Sequence, residues 1–89
     1  MKNLKNLTII IVTYQTPKKV LVNCIKSLNN NVKILIIENS KKFEHEHFFK
    51  KKFPKIKVIC SGKNLGYGKA NNFGLQLTKT NYALILNPD

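Results

Sequence analysis

Four short apolar runs constrain the fold of this chain more than any other feature: "LTIIIVTY" at 7–14, "VKILIIENS" at 32–40, "IKVIC" at 56–60 and "YALIL" at 82–86. Each is too short for an ordinary helix, and none shows strict alternation of apolar and polar residues. That is the pattern of strands buried on both faces, as in a parallel sheet covered by helices. The stretches between them carry a different period. Thr16 offers an N-cap and Pro17 suits a first helical turn, after which Val20, Leu21, Cys24, Ile25 and Leu28 recur at helical spacing. A helix of about three turns is expected there, ending in the asparagines at 29–31. "KKFEHEHFFKKKFPK" at 41–55 sets Phe43, Phe48, Phe49 and Phe53 among charges, which suits a short amphipathic helix or an irregular crossover that Pro54 terminates. Over 67–79, Tyr67, Ala70, Phe73, Gly74 and Leu77 fall on one helical face.

Strands alternating with helical segments imply right-handed crossovers between parallel strands. The expected fold is α/β: a mostly parallel, doubly wound, Rossmann-like sheet of about four strands with flanking helices. Eighty-nine residues allow one small domain, with a thin core, because a chain near this size buries only about 60% of its unfolded surface. An apolar content of 43% argues for that core and against disorder.

In such sheets, ligands bind outside the carboxyl ends of the strands, near the point where strand order reverses. Thr13, Tyr14 and Gln15 follow the first run, Glu38, Asn39 and Ser40 the second, Ser61 and Gly62 the third, and Asn87, Pro88 and Asp89 the fourth. All fall on one rim. With the strand order 3-2-1-4, the end of strand one faces Glu38 on one side and Asp89 on the other, so a nucleotide can lie across it. Glu38 can accept hydrogen bonds from a base or ribose, and Tyr14 can offer a stacking face. Taken singly, Tyr14 reads as a packing residue and Glu38 as a solvated strand-end acid; only their joint placement favours a site. One aspartate suffices in principle to hold Mg2+ or Mn2+ on a diphosphate, because phosphate oxygens and water supply the other ligands. Read locally, "NPD" at 87–89 is an ordinary turn.

"NLGYGKANNFG" at 64–74 is neither a P-loop, which needs a Gly-Lys-Ser/Thr ending, nor a dinucleotide fingerprint, which needs a third glycine and follows the first strand. Gly66 and Gly68 instead permit a closely approaching backbone at a helix start, where free amide groups favour an anion. Asn71 or Asn72 then points toward the rim, and Gly74 serves helix packing. His45 and His47, two residues apart, cannot share a helical face and read as surface residues. Cys24 and Cys60 lack metal spacing and read as buried free thiols. No catalytic triad or general base is recognisable.

All sixteen basic residues are lysines, against four acids, for a net charge of +12. Polyanions or an anionic membrane face are the partners such a balance suggests. The absence of arginine, the residue most used for specific base reading, argues for a lysine-biased surface that modestly aids binding of anionic ligands. Lys5 and Asn6 interrupt the first apolar stretch, and no small-residue cleavage site follows. No apolar run approaches the roughly 20 residues of a membrane span, so a cytoplasmic chain is expected. A basic nucleic-acid-binding module and a noncatalytic α/β partner domain remain as alternatives.

The ordered set "TIIIVTYQ", "ILIIENS", "NLGYGKANNFG" and "YALILNPD" resembles the nucleotide-binding half of family 2 glycosyltransferases of GT-A fold, particularly rhamnosyltransferase-like members, over nearly the whole chain. The resemblance implies that Thr13 and Tyr14 line the nucleotide pocket and that Glu38 replaces the usual base-contacting aspartate. It makes the segment containing Asn64, Gly66 and Asn72 the donor-side loop and helix. Asn87 takes the first Asp-x-Asp position near the ribose, and Asp89 takes the last, holding the divalent cation. The implied chemistry is inverting transfer of a sugar from a UDP- or dTDP-sugar to a saccharide or lipid-linked acceptor, of the cell-surface polysaccharide type, with peripheral contact at the inner membrane face. In that family the base and acceptor site lie downstream of the Asp-x-Asp element, so residues 1–89 would be a truncated GT-A domain, incomplete for turnover.

Overall fold

The computed structural model describes residues 6–29 and 31–89. The chain forms β1 (Leu7–Thr13), α1 (Lys18–Lys26), β2 (Lys33–Glu38), α2 (Glu46–Lys52), β3 (Lys57–Cys60), α3 (Tyr67–Leu77) and β4 (Tyr82–Ile85). The strands make one sheet in the order β3-β2-β1-β4, every pair parallel. This is the Rossmann-like arrangement expected from the alternation of periods, with strand order reversing at β1. The register Thr13↔Glu38 brings the carboxyl ends of β1 and β2 level.

Successive side chains of a strand point to opposite faces, so the apolar runs of β1 and β2 supply two cores. Ile9 and Ile11 of β1 and Ile36 of β2 pack with Leu21 and Ile25 of α1 and Phe49 of α2. Ile10 and Val12 pack with Leu35, Ile37 and Ala70 of α3 on the other face. The charged crossover resolves into the short helix α2, and its phenylalanines meet edge-on: Phe43 and Phe49 ring centroids lie 5.2 Å apart at 75°. Gly74 lets α3 approach the sheet, since a Cβ there would stand 2.8 Å from Cγ2 of Ile10.

Four expectations are corrected. The outer strands are not buried on both faces: all four residues of β4 are exposed, and β3 is at most half-buried. They lie at the margins of the sheet, where α3 and α1 do not reach. The inward face of α3 is Ala70, Asn71 and Gly74, while Tyr67 is 54% exposed and Leu77 39%. Tyr67 opens the helix at the sheet's rim, beyond the apolar floor. Thr16 is not a cap; α1 begins at Lys18 with Pro17 as its N-cap and no side-chain cap, and the Thr16 hydroxyl accepts the Tyr14 N–H at 3.2 Å. α1 ends at Lys26 with Ser27 as its C-cap; of the asparagines expected to end it, Asn30 lies outside the described residues. Among the described residues, no helix is long and apolar enough to cross a membrane.

Candidate functional site at the carboxyl rim

The ends of β1 and β2 are tied together by one carboxylate. The Thr13 hydroxyl donates to Glu38 Oε1 at 2.7 Å, while the Ser40 hydroxyl, at 2.6 Å, and the Gln15 N–H, at 3.2 Å, donate to Oε2. Glu38 is 2% exposed, and a buried carboxylate needs such donors to offset its lost hydration. The same bonds hold Gln15 in the left-handed region, at φ 51°. Glu38 is therefore no solvated acid. It lies beneath the rim.

Asn39, 3% exposed, organises the next layer. Its N–H donates to the Thr13 carbonyl at 2.7 Å, its Nδ2 donates to Asn64 Oδ1 at 3.0 Å, and its Oδ1 accepts from the Ser61 hydroxyl and the Leu65 N–H, each at 3.0 Å. Asn64 Oδ1 also accepts the Gly66 N–H at 2.9 Å. The loop between β3 and α3 is thereby fastened to the end of β2. Gly66, with φ 85° and ψ 157°, makes the turn into α3, a region that side-chain-bearing residues avoid. Gly68 has no such duty: its φ is ordinary and an added Cβ would meet open space.

An open cleft of about 320 Å³ lies over these ends. Of the residues expected at the site, Thr13, Tyr14, Asn64, Asn87 and Asp89 line it together. Glu38 lies below it, Gly66 at its edge as the turn into α3, and Asn72 on the exposed side of α3. Asn71, the other candidate to face the rim, is buried instead, and its Oδ1 has no hydrogen-bond partner among the described residues. Thr16, Asn39 and Tyr67 also line the cleft, although sequence reasoning had not placed them among the site residues. Asn39 had a signal, since it directly follows an apolar strand. Tyr67 had one too, as the first helical residue after a glycine turn on the same rim.

Tyr14 and Tyr67 expose about half their surface, 52% and 54%, and so present two aromatic rings at the mouth. Asp89 is the one carboxylate lining the cleft; its N–H donates to Asn87 Oδ1 at 3.3 Å, which closes the turn read from "NPD". A second hollow of about 370 Å³ shares Tyr14 and Asn64 and adds Lys41, Lys42 and Lys63 together with one acid, Glu44. The β2 side of the rim thus carries three lysines against one glutamate and the β4 side carries Asp89, a net positive field suited to an anion.

No group of three or more histidine, cysteine or acidic residues able to hold a metal ion occurs among the described residues. Asp89 with the neighbouring Asn87 can supply part of a coordination shell and no more. That fits an ion whose remaining ligands come from a diphosphate and water, and it does not fit a self-sufficient metal centre. His45 is half-buried; its Nε2–H donates to the Thr16 carbonyl at 2.8 Å. Cys24 and Cys60 are free and half-buried, and burial raises both thiols above their usual range, the Glu38 charge adding to the effect at Cys60.

The largest hollow, about 660 Å³, lies at the opposite end of the strands between α3 and β3. It has lysines and the Asn31 amide around an apolar floor, and among the described residues no acid lines it, so it lacks the chemistry of the rim. A search of curated proteins returned no match to this chain. The family model described as "Glycosyl transferase family 2" matches residues 8–89.

Proposed function

The chain belongs to glycosyl transferase family 2, and from that premise we propose that residues 1–89 are the donor-binding portion of an incomplete GT-A domain, holding a UDP- or dTDP-sugar at the carboxyl rim. Family membership makes the chain a glycosyltransferase with a nucleotide-sugar donor and an acceptor as its partners. The sheet is consistent with a truncated GT-A domain. The observation that carries the donor reading is the convergence of Thr13, Tyr14, Asn64, Asn87 and Asp89, from the ends of β1, β3 and β4, on one cleft.

In this reading, Tyr14 and Tyr67 offer stacking faces to the base, and Asn64 and Asn87 offer amide groups to the ribose. Lys41, Lys42 and Lys63 draw the diphosphate toward the rim. Glu38 contributes through its partners: its oxygens already accept from Thr13, Ser40 and Gln15, so it shapes the base-binding end by fixing Thr13 and the main chain of Gln15. Gly66 sets the turn that brings Asn64 and Tyr67 to the cleft, and Asn72 lies further along α3 as an outer donor-side contact. A divalent cation held by Asp89 would offset charge developing on the leaving diphosphate. Inverting transfer, rhamnosyltransferase-like donor choice, a cell-surface polysaccharide product and a cytoplasmic position at the inner membrane face complete the proposal; their support is the motif resemblance.

Titration calorimetry of UDP and dTDP into the 89-residue chain, with and without Mg2+ or Mn2+, tests it. Metal-dependent binding is expected, and Asp89→Ala should weaken it by about ten- to a hundredfold, the scale of losing a partner to a charged group. Absence of nucleotide binding, together with DNA or RNA affinity that falls steeply with salt, would transfer the rim to a nucleic-acid reading. Binding of neither ligand class would leave a noncatalytic partner domain.

A further inference from the structure

The hollow at the end of the strands opposite the rim has walls from β1, β2, β3 and the segment that links α3 to β4; no residue of β4 lines it. Strand alternation and register set its arrangement. Lys33 and Leu35 point to the same face of β2, and the pairing Leu35↔Lys57 puts Lys57, and Ile59 two residues on, beside them on β3. Lys55 enters from the turn before β3 and Lys79 from the segment after α3. Four lysines thus ring a floor made by Leu35, Ile59 and Leu77.

Neither part of this lining has a partner within the described residues. All four lysines are exposed; none pairs with an acid, and no acid lines the hollow. Leu77 lies on the helical face expected to pack, yet it is 39% exposed. The threonine hydroxyls, by contrast, are engaged: those of Thr8 and Thr80 bond each other at 2.7 Å, and that of Thr78 donates to the Gly74 carbonyl at 2.9 Å. What a ligand meets is therefore cationic tips around aliphatic carbon, in a hollow of about 660 Å³, a size suited to part of one organic molecule.

We propose that this hollow docks the chain on an anionic phospholipid bilayer, the lysine ammonium groups meeting lipid phosphates and the floor taking the upper part of an acyl chain. Both halves of the lining choose that partner. A phospholipid joins a negative phosphate to an apolar chain in one molecule, and a lysine stem can lie along the apolar floor while its ammonium group reaches the headgroup. A nucleic acid would match the charge, but single strands are held by stacking bases on aromatic rings, and among the described residues no aromatic side chain lines the hollow. Soluble phosphate would leave Leu77 uncovered. This docking keeps the carboxyl rim open to water, where a soluble nucleotide sugar arrives. The proposal gives membrane contact a surface of its own and does not depend on nucleotide binding.

Co-sedimentation with phosphatidylcholine vesicles, with and without phosphatidylglycerol, tests the docking in the absence of nucleotide and metal, and circular dichroism confirms that each variant is folded. Binding is expected only with phosphatidylglycerol. Lys33→Gln, Lys55→Gln, Lys57→Gln and Lys79→Gln combined should weaken it about five hundredfold, at about fivefold per lysine. Lys19→Gln, Lys26→Gln, Lys51→Gln and Lys52→Gln combined remove equal charge from the helices on the other sheet face, and their loss should be smaller by about tenfold or more. Leu77→Ser keeps every charge and should still cost about tenfold, the scale of losing a partly buried aliphatic contact. Equal losses from the two lysine sets, indifference to Leu77→Ser, or no binding to vesicles overturns the proposal. So does displacement by soluble glycerol phosphate, or tighter binding of single-stranded DNA through the same four lysines.

Discussion

β2 and β4 carry the same kind of sequence, "KILIIE" and "YALI", and meet opposite fates. The last four residues of β2 are buried, whereas all four residues of β4 are exposed. Residue type does not separate them. Place does: β2 lies between β1 and β3 and is covered by α1 and α2 on one face and α3 on the other, while β4 lies at the margin beyond the reach of these helices. An apolar run reports that a strand forms and can be buried on both faces. It does not report whether enough neighbours arrive to bury it.

The widest way to break this comparison is to truncate one side chain in each strand. Ile36→Ala empties a fully buried position and should cost about 4 kcal/mol in urea denaturation, whereas Leu84→Ala should cost less than about 1 kcal/mol. Equal losses would mean that β4 is as buried as β2. Glu38→Ala tests the polar end of β2 and comes next. It removes three charge-assisted bonds and strands the buried Thr13 hydroxyl, for a loss of about 2–3 kcal/mol; a neutral result would show that the carboxylate does not hold the rim.

A smaller pair sharpens the contrast between the two glycines before and within α3. Gly66→Ala forces a side chain into φ 85° and should destabilise by about 1–2 kcal/mol. Gly68→Ala should stabilise by up to about 1 kcal/mol through helix propensity. Thermal melts of both variants moving in the same direction would contradict the turn geometry. The smallest effect concerns the thiols. Burial raises Cys24 and Cys60 above the ordinary value of 9.0, so the unfolded chain loses these protons first as the solution becomes alkaline. Their contribution is fully present below pH 9.0 and is lost as pH rises through the higher folded values. Replacing both cysteines with alanine should remove this part of the alkaline decline in stability, and native-state alkylation at neutral pH should be slow.

Much of the rim was legible because a parallel α/β sheet sends every strand's carboxyl end to one side. Placing Thr13, Tyr14, Asn87 and Asp89 at a common mouth needed only the periodicity of the runs and the strand order. The direction of Glu38 was not legible, since a strand-end carboxylate reads the same whether it faces solvent or a neighbouring hydroxyl. The register Thr13↔Glu38 and the turn of Gln15 decide between them. Asn71 and Asn72 show the same limit on a helix: adjacent residues differ by about 100° around the axis, and only the seating of α3 on Ile10 through Gly74 turns one inward and leaves the other outside.

By itself the sequence determined the succession of strands and helices, the parallel sheet and the rim where polar residues collect, because these follow from local periodicity and chain connectivity. Tertiary structure alone decided that the residues of β4 are exposed, that Asn39 fastens the loop before α3, and that Glu38 turns its oxygens inside the protein. Those outcomes depend on which atoms arrive from residues distant in the chain, and no local pattern encodes such arrivals.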